Sequence, residues 1–357
     1  MRPLDVADRK IIALSMVLFL LSLLIEFIAI HLFGGSFAGL CAWDCEWYAG
    51  IINGGYHPQS RVHDFAEAAN WAFFPLFPLI GGAVSRVFDL PAEMALPITG
   101  KVIYFLAIMV FIKFCTTYVP RINPLICGLV LVLNPYAIYA HTGYTEPLYL
   151  LLTCLSLIFI YRGQPILAGI FGGALSGVRA VGVVLLFPYT LVNLKRFFIH
   201  HEERLNIALG FMLIPLGMTL FMTYLHYTMG DAMAFSHIQR AWDRSLQNPL
   251  RVLIDSIGPN RIYMIYQFNL VIATALIIKL LWNRTPELAL FSVISILIPL
   301  STGVWSLPRY IWWQAPILLA AAQVLQRRWL AMMMLPLMLA GLLFMYRGWF
   351  GGEWFVI

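Results

Sequence analysis

The chain has 357 residues, 61% of them apolar and 11% charged, with 23 basic against 17 acidic side chains. Soluble domains run at about 45–50% apolar and about 25% charged, so soluble enzymes, disordered tails and disulfide scaffolds are excluded, and a mean hydropathy of +0.82 agrees. The composition is that of an all-α polytopic membrane protein, a single integral domain over residues 1–357. In that setting the net charge of +6 reflects cytoplasmic lysines and arginines rather than a nucleic-acid partner.

Taken in chain order, residues 11–30 form an apolar run long enough to span and longer than a signal-peptide core, preceded by Arg9 and Lys10. Further predicted spans are 72–88, 96–118, 124–140, 145–161, 166–191, 205–227, 262–282, 287–304, 310–326 and 329–346. This gives about eleven transmembrane helices, with the N-terminus inside and the C-terminus outside. Basic clusters at Arg2, Arg9 and Lys10, at Lys195, Arg196 and Arg204, at Lys279 and Arg284, and at Arg327 and Arg328 fall inside on this reading. Pro124, Pro135 and Pro147 interrupt the hydrophobicity of 119–162, so its two short helices either cross or dip in and return. The long connectors, 31–71 and 228–261, come out together on the external side, and loops of that length and aromatic content are usually folded or functional. That side also holds Arg240, Arg244, Arg251, Arg261 and Arg309, against the positive-inside trend, which suits an anionic ligand.

Cys115, Cys127 and Cys154 lie in apolar segments as small hydrophobes. Cys41 and Cys45 flank a polar site; free thiols are the expectation, with a bridge open to them if the loop faces outward. No His/Cys spacing indicates a metal.

The first connector reads Trp43-Asp44-Cys45-Glu46-Trp47-Tyr48, and Trp43, Trp47 and Ile51 recur at helical spacing. An amphipathic helix there would lay that face on the membrane surface. Asp44 and Glu46 are about 200° apart around such a helix, so one at most points at a given reacting atom. Asp44 reads either as an N-cap with Glu46 in the first turn, or as a general base where lipid and water meet; the two are compatible. Glu146 sits alone in an apolar stretch behind Thr145, a capping position with Pro147 in the first turn. Arg179 lies inside a predicted span at a cost of about 2.5–3.5 kcal/mol, which calls for a function or an acidic partner such as Glu146 or Glu26. Arg309, in Ser306-Leu307-Pro308-Arg309-Tyr310, either snorkels or clamps a phosphate with its planar fork. Arg240 and Arg244 are weaker phosphate candidates, because Trp242 between them would equally serve as an interfacial anchor.

Taken together, Trp43-Asp44 with Tyr48 and Gly55-Tyr56, Phe74-Pro75-Leu76-Phe77-Pro78, Asn134-Pro135, Tyr144-Thr145-Glu146-Pro147 and Pro308-Arg309-Tyr310 resemble the PIG-V family, the second mannosyltransferase of GPI-anchor assembly and its prokaryotic relatives. The pieces come in the family's order over residues 43–310. Arg179-Ala180-Val181-Gly182 departs from the family's arginine followed by Ser-Asn-Gly, and the short chain favours a prokaryotic relative. The resemblance implies a GT-C glycosyltransferase that uses a polyprenyl-phosphate sugar, most simply mannose, as donor and a glycan or glycolipid as acceptor. No cofactor or divalent metal is indicated, and the active site would lie on the external face of a prokaryotic inner membrane. It makes Asp44 the base with Glu46 in reserve, and Arg309, then Arg179, then Arg240 and Arg244, the donor-phosphate ligands. Trp43, Tyr48, Tyr56, Tyr144, Glu146 and Tyr310 are assigned to sugar and acceptor. Two rivals stand beside this reading. One is a ligase or polymerase with a diphosphate-linked donor, which leaves the Trp43-Asp44 loop unexplained. The other is a transporter of an anionic or lipid-linked solute, for which mid-membrane polar groups are few: Glu26, Lys113, Glu146 and Arg179.

Overall fold

The computed structural model describes residues 6–57, 68–258 and 261–356. Arg2, the side chain of Arg261, and parts of both connectors (58–67 and 259–260) therefore lie outside the described residues. Among the described residues there are helices and no strand. In order they are α1 (Val6–Leu32), α2 (Asp44–Gly54), α3 (Leu76–Phe88), α4 (Ala92–Tyr118), α5 (Pro124–Leu133) and α6 (Glu146–Tyr161). Then come α7 (Pro165–Ser176), α8 (Leu186–Ile199), α9 (Arg204–Leu213), α10 (Leu216–Met229), α11 (Ala234–His237) and α12 (Pro249–Asp255). The chain ends with α13 (Arg261–Trp282), α14 (Pro286–Leu300), α15 (Leu307–Trp312), α16 (Ala315–Val324) and α17 (Arg328–Phe350). Five segments are long and apolar enough to cross a membrane: Asp8–Leu32, Ala92–Tyr118, Ala180–Ile199, Ile262–Trp282 and Arg328–Phe350. The pair α9–α10, bent by 43° at Pro215, makes a sixth. The protein is a multi-pass membrane protein.

Two ion pairs fix the bundle's sense. Lys113 Nζ lies 2.8 Å from Asp8 Oδ1, and Lys101 Nζ lies 2.7 Å from Glu26 Oε1. Helix α4 therefore runs antiparallel to α1, and its first turns sit beside the last turns of α1. The 13-residue α3 packs its Gly81 on Leu96 of α4 and its Gly82 on Ile52 of α2. It stays at the end of the bundle where α4 begins, so the expected span 72–88 is corrected to a short helix lying at that end. The direction expected for 96–118, 124–140 and 145–161 is reversed with it.

The expected span 166–191 also fails as one helix. It breaks after Ser176, with Arg179 in an extended conformation (φ −155°, ψ 145°) before a 3₁₀ turn and α8. The expected 124–140 breaks at Asn134, whose side chain accepts from the Tyr136 amide at 2.9 Å because Pro135 supplies no N–H to continue the helix. The expected 310–326 divides into α15 and α16. One end of the bundle thus gathers the start of α2, the turn before α6, the break after α7 and the start of α15. The far end is tied by Tyr118 against Tyr161, by Arg196 donating to the Gly163 carbonyl, and by Gln326 accepting from the Asn123 amide.

The break after α7 is held in place by glycines. Gly169, Gly173 and Gly177 fall on one face of α7, and a Cβ at Gly169 or Gly173 would overlap the backbone of Gly210 or Leu213 on α9. Small residues at a four-residue interval let membrane helices approach to backbone contact, where dispersion replaces the missing hydrophobic drive. Gly210→Val, which would overlap the Pro165 carbonyl, should destabilise by about 1–3 kcal/mol and lower the melting temperature in detergent. Gly50→Ala, at an exposed position with open space around it, should not; equal melting temperatures for the two variants would refute this packing.

Candidate active site

Asp44 is the first residue of α2, so its side chain starts from a fixed helix end. The residue before it, Trp43, is the cap and holds φ 58°, and no side chain caps the helix. The capping role open to Asp44 is thus not taken. Its Oδ2 instead accepts from Arg309 Nη1 at 2.9 Å, while its backbone N–H donates to the Tyr144 hydroxyl at 3.2 Å. Thr145 does occupy the cap position of α6, yet its hydroxyl accepts from Arg179 Nε at 2.8 Å rather than from the helix. Glu146, fully buried, takes Arg179 Nη2 on Oε1 at 2.5 Å, and Arg309 Nε lies 3.3 Å from the same oxygen. Arg179 finds the partner expected among the acids. Glu26 is taken elsewhere, by Lys101 and by His141 at 3.0 Å.

Arg309 is 4% exposed and its guanidinium lies against three rings: Tyr139 at 5.3 Å, Tyr144 at 5.1 Å and Tyr310 at 5.3 Å. Faces of aromatic rings attract a desolvated cation and repay part of its burial. Arg179 lies 5.3 Å from the other partner it shares with Arg309, the Tyr310 ring. Ser306, left-handed at φ 62°, turns the chain into α15, and Pro308 sits in the first turn, where a missing N–H costs nothing. Arg244 arrives from the second connector, donating to Ser306 Oγ at 3.3 Å and to the Tyr310 hydroxyl at 3.5 Å. No carboxylate lies within ion-pair distance of Arg244 among the described residues.

These groups surround a cleft of about 290 Å³ lined by Asp44, Tyr48, Arg179, Arg244, Arg309 and Tyr310, with Phe73, Phe74, Phe235 and Trp242 as its aromatic wall. That is just under the range of about 300–1,000 Å³ usual for small-molecule sites. Burial raises the Tyr48 hydroxyl above its ordinary pKa, against an opposing pull from Arg179, so it stays protonated at neutral pH. A second cavity of about 660 Å³, almost wholly apolar, lies beyond Trp312 between α13, α16 and α17.

Four expected site residues are not brought to the cleft. Glu46 is exposed on the opposite face of α2, as its 200° offset from Asp44 requires. Arg240 is also exposed. Trp43 packs on Trp354, with ring centroids 5.5 Å apart, and Tyr56 donates to the Phe73 carbonyl at 2.6 Å. The face of α2 turned inward is Cys45, Tyr48 and Ala49 rather than the tryptophan stripe, and Trp47 stacks on Phe73 at 5.6 Å. Tyr144 and Glu146 are wholly buried behind the cleft, where they hold Asp44 and the arginines. Sequence reasoning missed Phe73 and Trp242 as cleft residues, having read Trp242 as an interfacial anchor. Cys41 and Cys45 close into a disulfide, with Cα atoms 5.1 Å apart, the outcome left open for an outward-facing loop rather than the one favoured. The expected free thiols are corrected: an α2 that begins at Asp44 brings position 45 back over position 41. Among the described residues no cluster of His, Cys, Asp and Glu is arranged to hold a metal ion.

No curated protein matches the chain. Its fold is similar to that of ArnT from Cupriavidus metallidurans in two crystal structures. Against ArnT bound to undecaprenyl phosphate the identity is 14% and the TM-score 0.52, covering 87% of this chain and 60% of that one. Against the apo state the identity is 16% and the TM-score 0.55, covering 87% and 59%. The chain thus spans about 60% of the length of ArnT, and at such identity the likeness speaks for the fold alone. Residues 12–241, well over half of the sequence, match the family described as Mannosyltransferase (PIG-V). The chain belongs to that family.

Proposed function

We propose that the protein transfers a mannosyl group from a polyprenyl-phosphate donor to a hydroxyl of a lipid-linked or glycolipid acceptor, in one inverting displacement on the external face of the membrane. The observation that carries this reading is the charge of the cleft. Among the described residues the carboxylates that Arg179, Arg244 and Arg309 meet are Asp44 and Glu146, which leaves one guanidinium without a carboxylate, open to an anion. The ordering of arginines changes accordingly. Arg309 and Arg179 are engaged by carboxylates, so Arg244 makes the first contact with the donor phosphate. Arg309 and Arg179 then stabilise the charge that grows on the phosphate as the sugar leaves, a contribution worth several kcal/mol in a site shielded from water.

In the step itself the acceptor oxygen attacks the anomeric carbon, and the carbon–oxygen bond to phosphate breaks. The phosphate departs with the bonding pair, and the acceptor proton passes to the Asp44 oxygen not held by Arg309. A β-linked donor gives an α-glycoside. The aromatic wall of Phe73 and Trp242 suits the apolar face of a sugar ring, and the apolar cavity beyond Trp312 suits a lipid chain. Orientation is supported by the far end, where Arg162, Arg284 and Arg327 lie in the short turns between helices and Arg196 and Arg204 at the helix ends beside them, as the positive-inside rule expects of a cytoplasmic face. The fold shared with ArnT, solved with undecaprenyl phosphate, supports a lipid-phosphate donor over a transported solute.

With purified protein and polyprenyl-phosphate mannose, Asp44→Asn should cut the transfer rate by about 10²–10⁴ while leaving donor binding in place. Retention of near-wild-type rate would remove Asp44 as the base. Glu46→Gln should leave the rate unchanged, because that side chain points away from the cleft. Arg244→Ala should weaken binding of polyprenyl phosphate by about 1.5–3 kcal/mol, the worth of a hydrogen bond to a charged group. Unchanged affinity by direct titration would rule out Arg244 as a phosphate ligand.

A further inference from the structure

We propose that the Cys41–Cys45 disulfide is a positioning element for Asp44, so that the cleft is assembled for transfer only while the bridge is closed. The proposal rests on the reading of Asp44 as the base.

The bridge joins residues four apart and encloses Ala42, Trp43 and Asp44. Within that ring Trp43 holds φ 58° and ψ −115°, a backbone state that a bulky L-residue rarely adopts. Such a conformation persists only where its surroundings over-determine it, and here the turn it makes is what starts α2 at Asp44. Three contacts then carry the turn to the rest of the site. The Asp44 amide donates to the Tyr144 hydroxyl at 3.2 Å, and Asp44 Oδ2 accepts from Arg309 at 2.9 Å. Cys45 Sγ occupies the space into which a Cβ at Gly143 would project. The sulfur therefore packs directly on the turn that presents Tyr144, Thr145 and Glu146. With the bridge open, Trp43 is free to return to an ordinary φ, and the carboxylate swings with it.

The bridge also bears on where the site lies. Cytosolic thiols are kept reduced, whereas disulfides persist in oxidising compartments. A bridge beside the base supports an external cleft independently of the basic residues at the far end. Closing it removes two electrons and two protons from the two thiols, taken by a disulfide oxidant through a mixed disulfide. Cys45 is fully buried and Cys41 8% exposed, so a reductant reaches the bridge from the Cys41 side.

The test begins with the thiol count. Alkylation of the acid-denatured protein followed by mass spectrometry should modify three cysteines, namely Cys115, Cys127 and Cys154, and all five after reduction. Reduction of the folded protein in nanodiscs should then speed hydrogen exchange across residues 41–48 while leaving α4 unchanged. It should lower kcat for mannose transfer by about 10²-fold, the scale of loss for a reacting group displaced by an ångström, with affinity for polyprenyl phosphate unchanged. The double variant Cys41→Ser with Cys45→Ser should show the same kcat and be indifferent to reductant. The proposal is overturned by five reactive thiols without reduction, or by exchange and kcat that ignore reduction. It is equally overturned by kcat and donor affinity falling together, the mark of a link that merely holds the fold. If the oxidised protein transfers no mannose, the functional reading fails, while the thiol count and the exchange rates still decide the role of the bridge.

Discussion

One buried guanidinium ties three distant stretches of the chain together. Arg309, on the six-residue α15, meets Asp44 from the first connector and Glu146 from the start of α6. None of these elements could carry its charge alone in an apolar bundle, because an ion without a partner is costly to keep out of water. The pairing therefore decides more than local geometry. It requires α2, the turn at 141–145 and the start of α15 to share one end of the molecule, and the break after α7 delivers Arg179 to the same carboxylate.

Among the described residues the network has more guanidinium groups than carboxylates, and the proposed function rests on that imbalance. A closed set of matched ion pairs would be a structural device. Here Arg244 contributes a further guanidinium at the open side, held by the hydroxyls of Ser306 and Tyr310. Hydroxyl partners orient a guanidinium without a carboxylate on it, so on the proposed reading an arriving phosphate would meet a field already arranged for it. In the proposed transfer the same preorganisation would serve the leaving phosphate as charge builds on it. Glu146 then acts as a counterweight, wholly buried and shared by two arginines, that keeps the cations close together despite their mutual repulsion.

The chemistry was more legible in the sequence than the path of the chain. Asp44, Arg179, Glu146 and Arg309 stand out because charge is rare in such a composition, and a rare charge in an apolar segment needs a reason. The 200° offset between Asp44 and Glu46 separated them correctly from helix geometry alone. Hydropathy could not tell a short helix resting at one end of the bundle from one that crosses, since both are apolar; hence the error at 72–88. Nor could it see the break at 177–179, where the ion pair of Arg179 with Glu146 meets the extended backbone at Arg179. The recruitment of Arg244 and Trp242 depends on how a long connector folds back, for which local sequence carries no periodic signal. The disulfide was hidden for a related reason. Its closure depends on where α2 starts, and that start is fixed by a positive φ at Trp43 that no propensity anticipates.

The central claim is a single displacement at an anomeric carbon, with Asp44 taking the proton and the arginines taking the phosphate. Its most direct test is the stereochemistry of the product. Purified protein would be incubated with β-linked polyprenyl-phosphate mannose carrying ¹³C at the anomeric carbon and a glycolipid acceptor, and the product read by NMR. The account predicts an α-mannoside together with free polyprenyl phosphate. A β-mannoside, or release of a diphosphate lipid from a diphosphate-linked donor as the productive reaction, would contradict it.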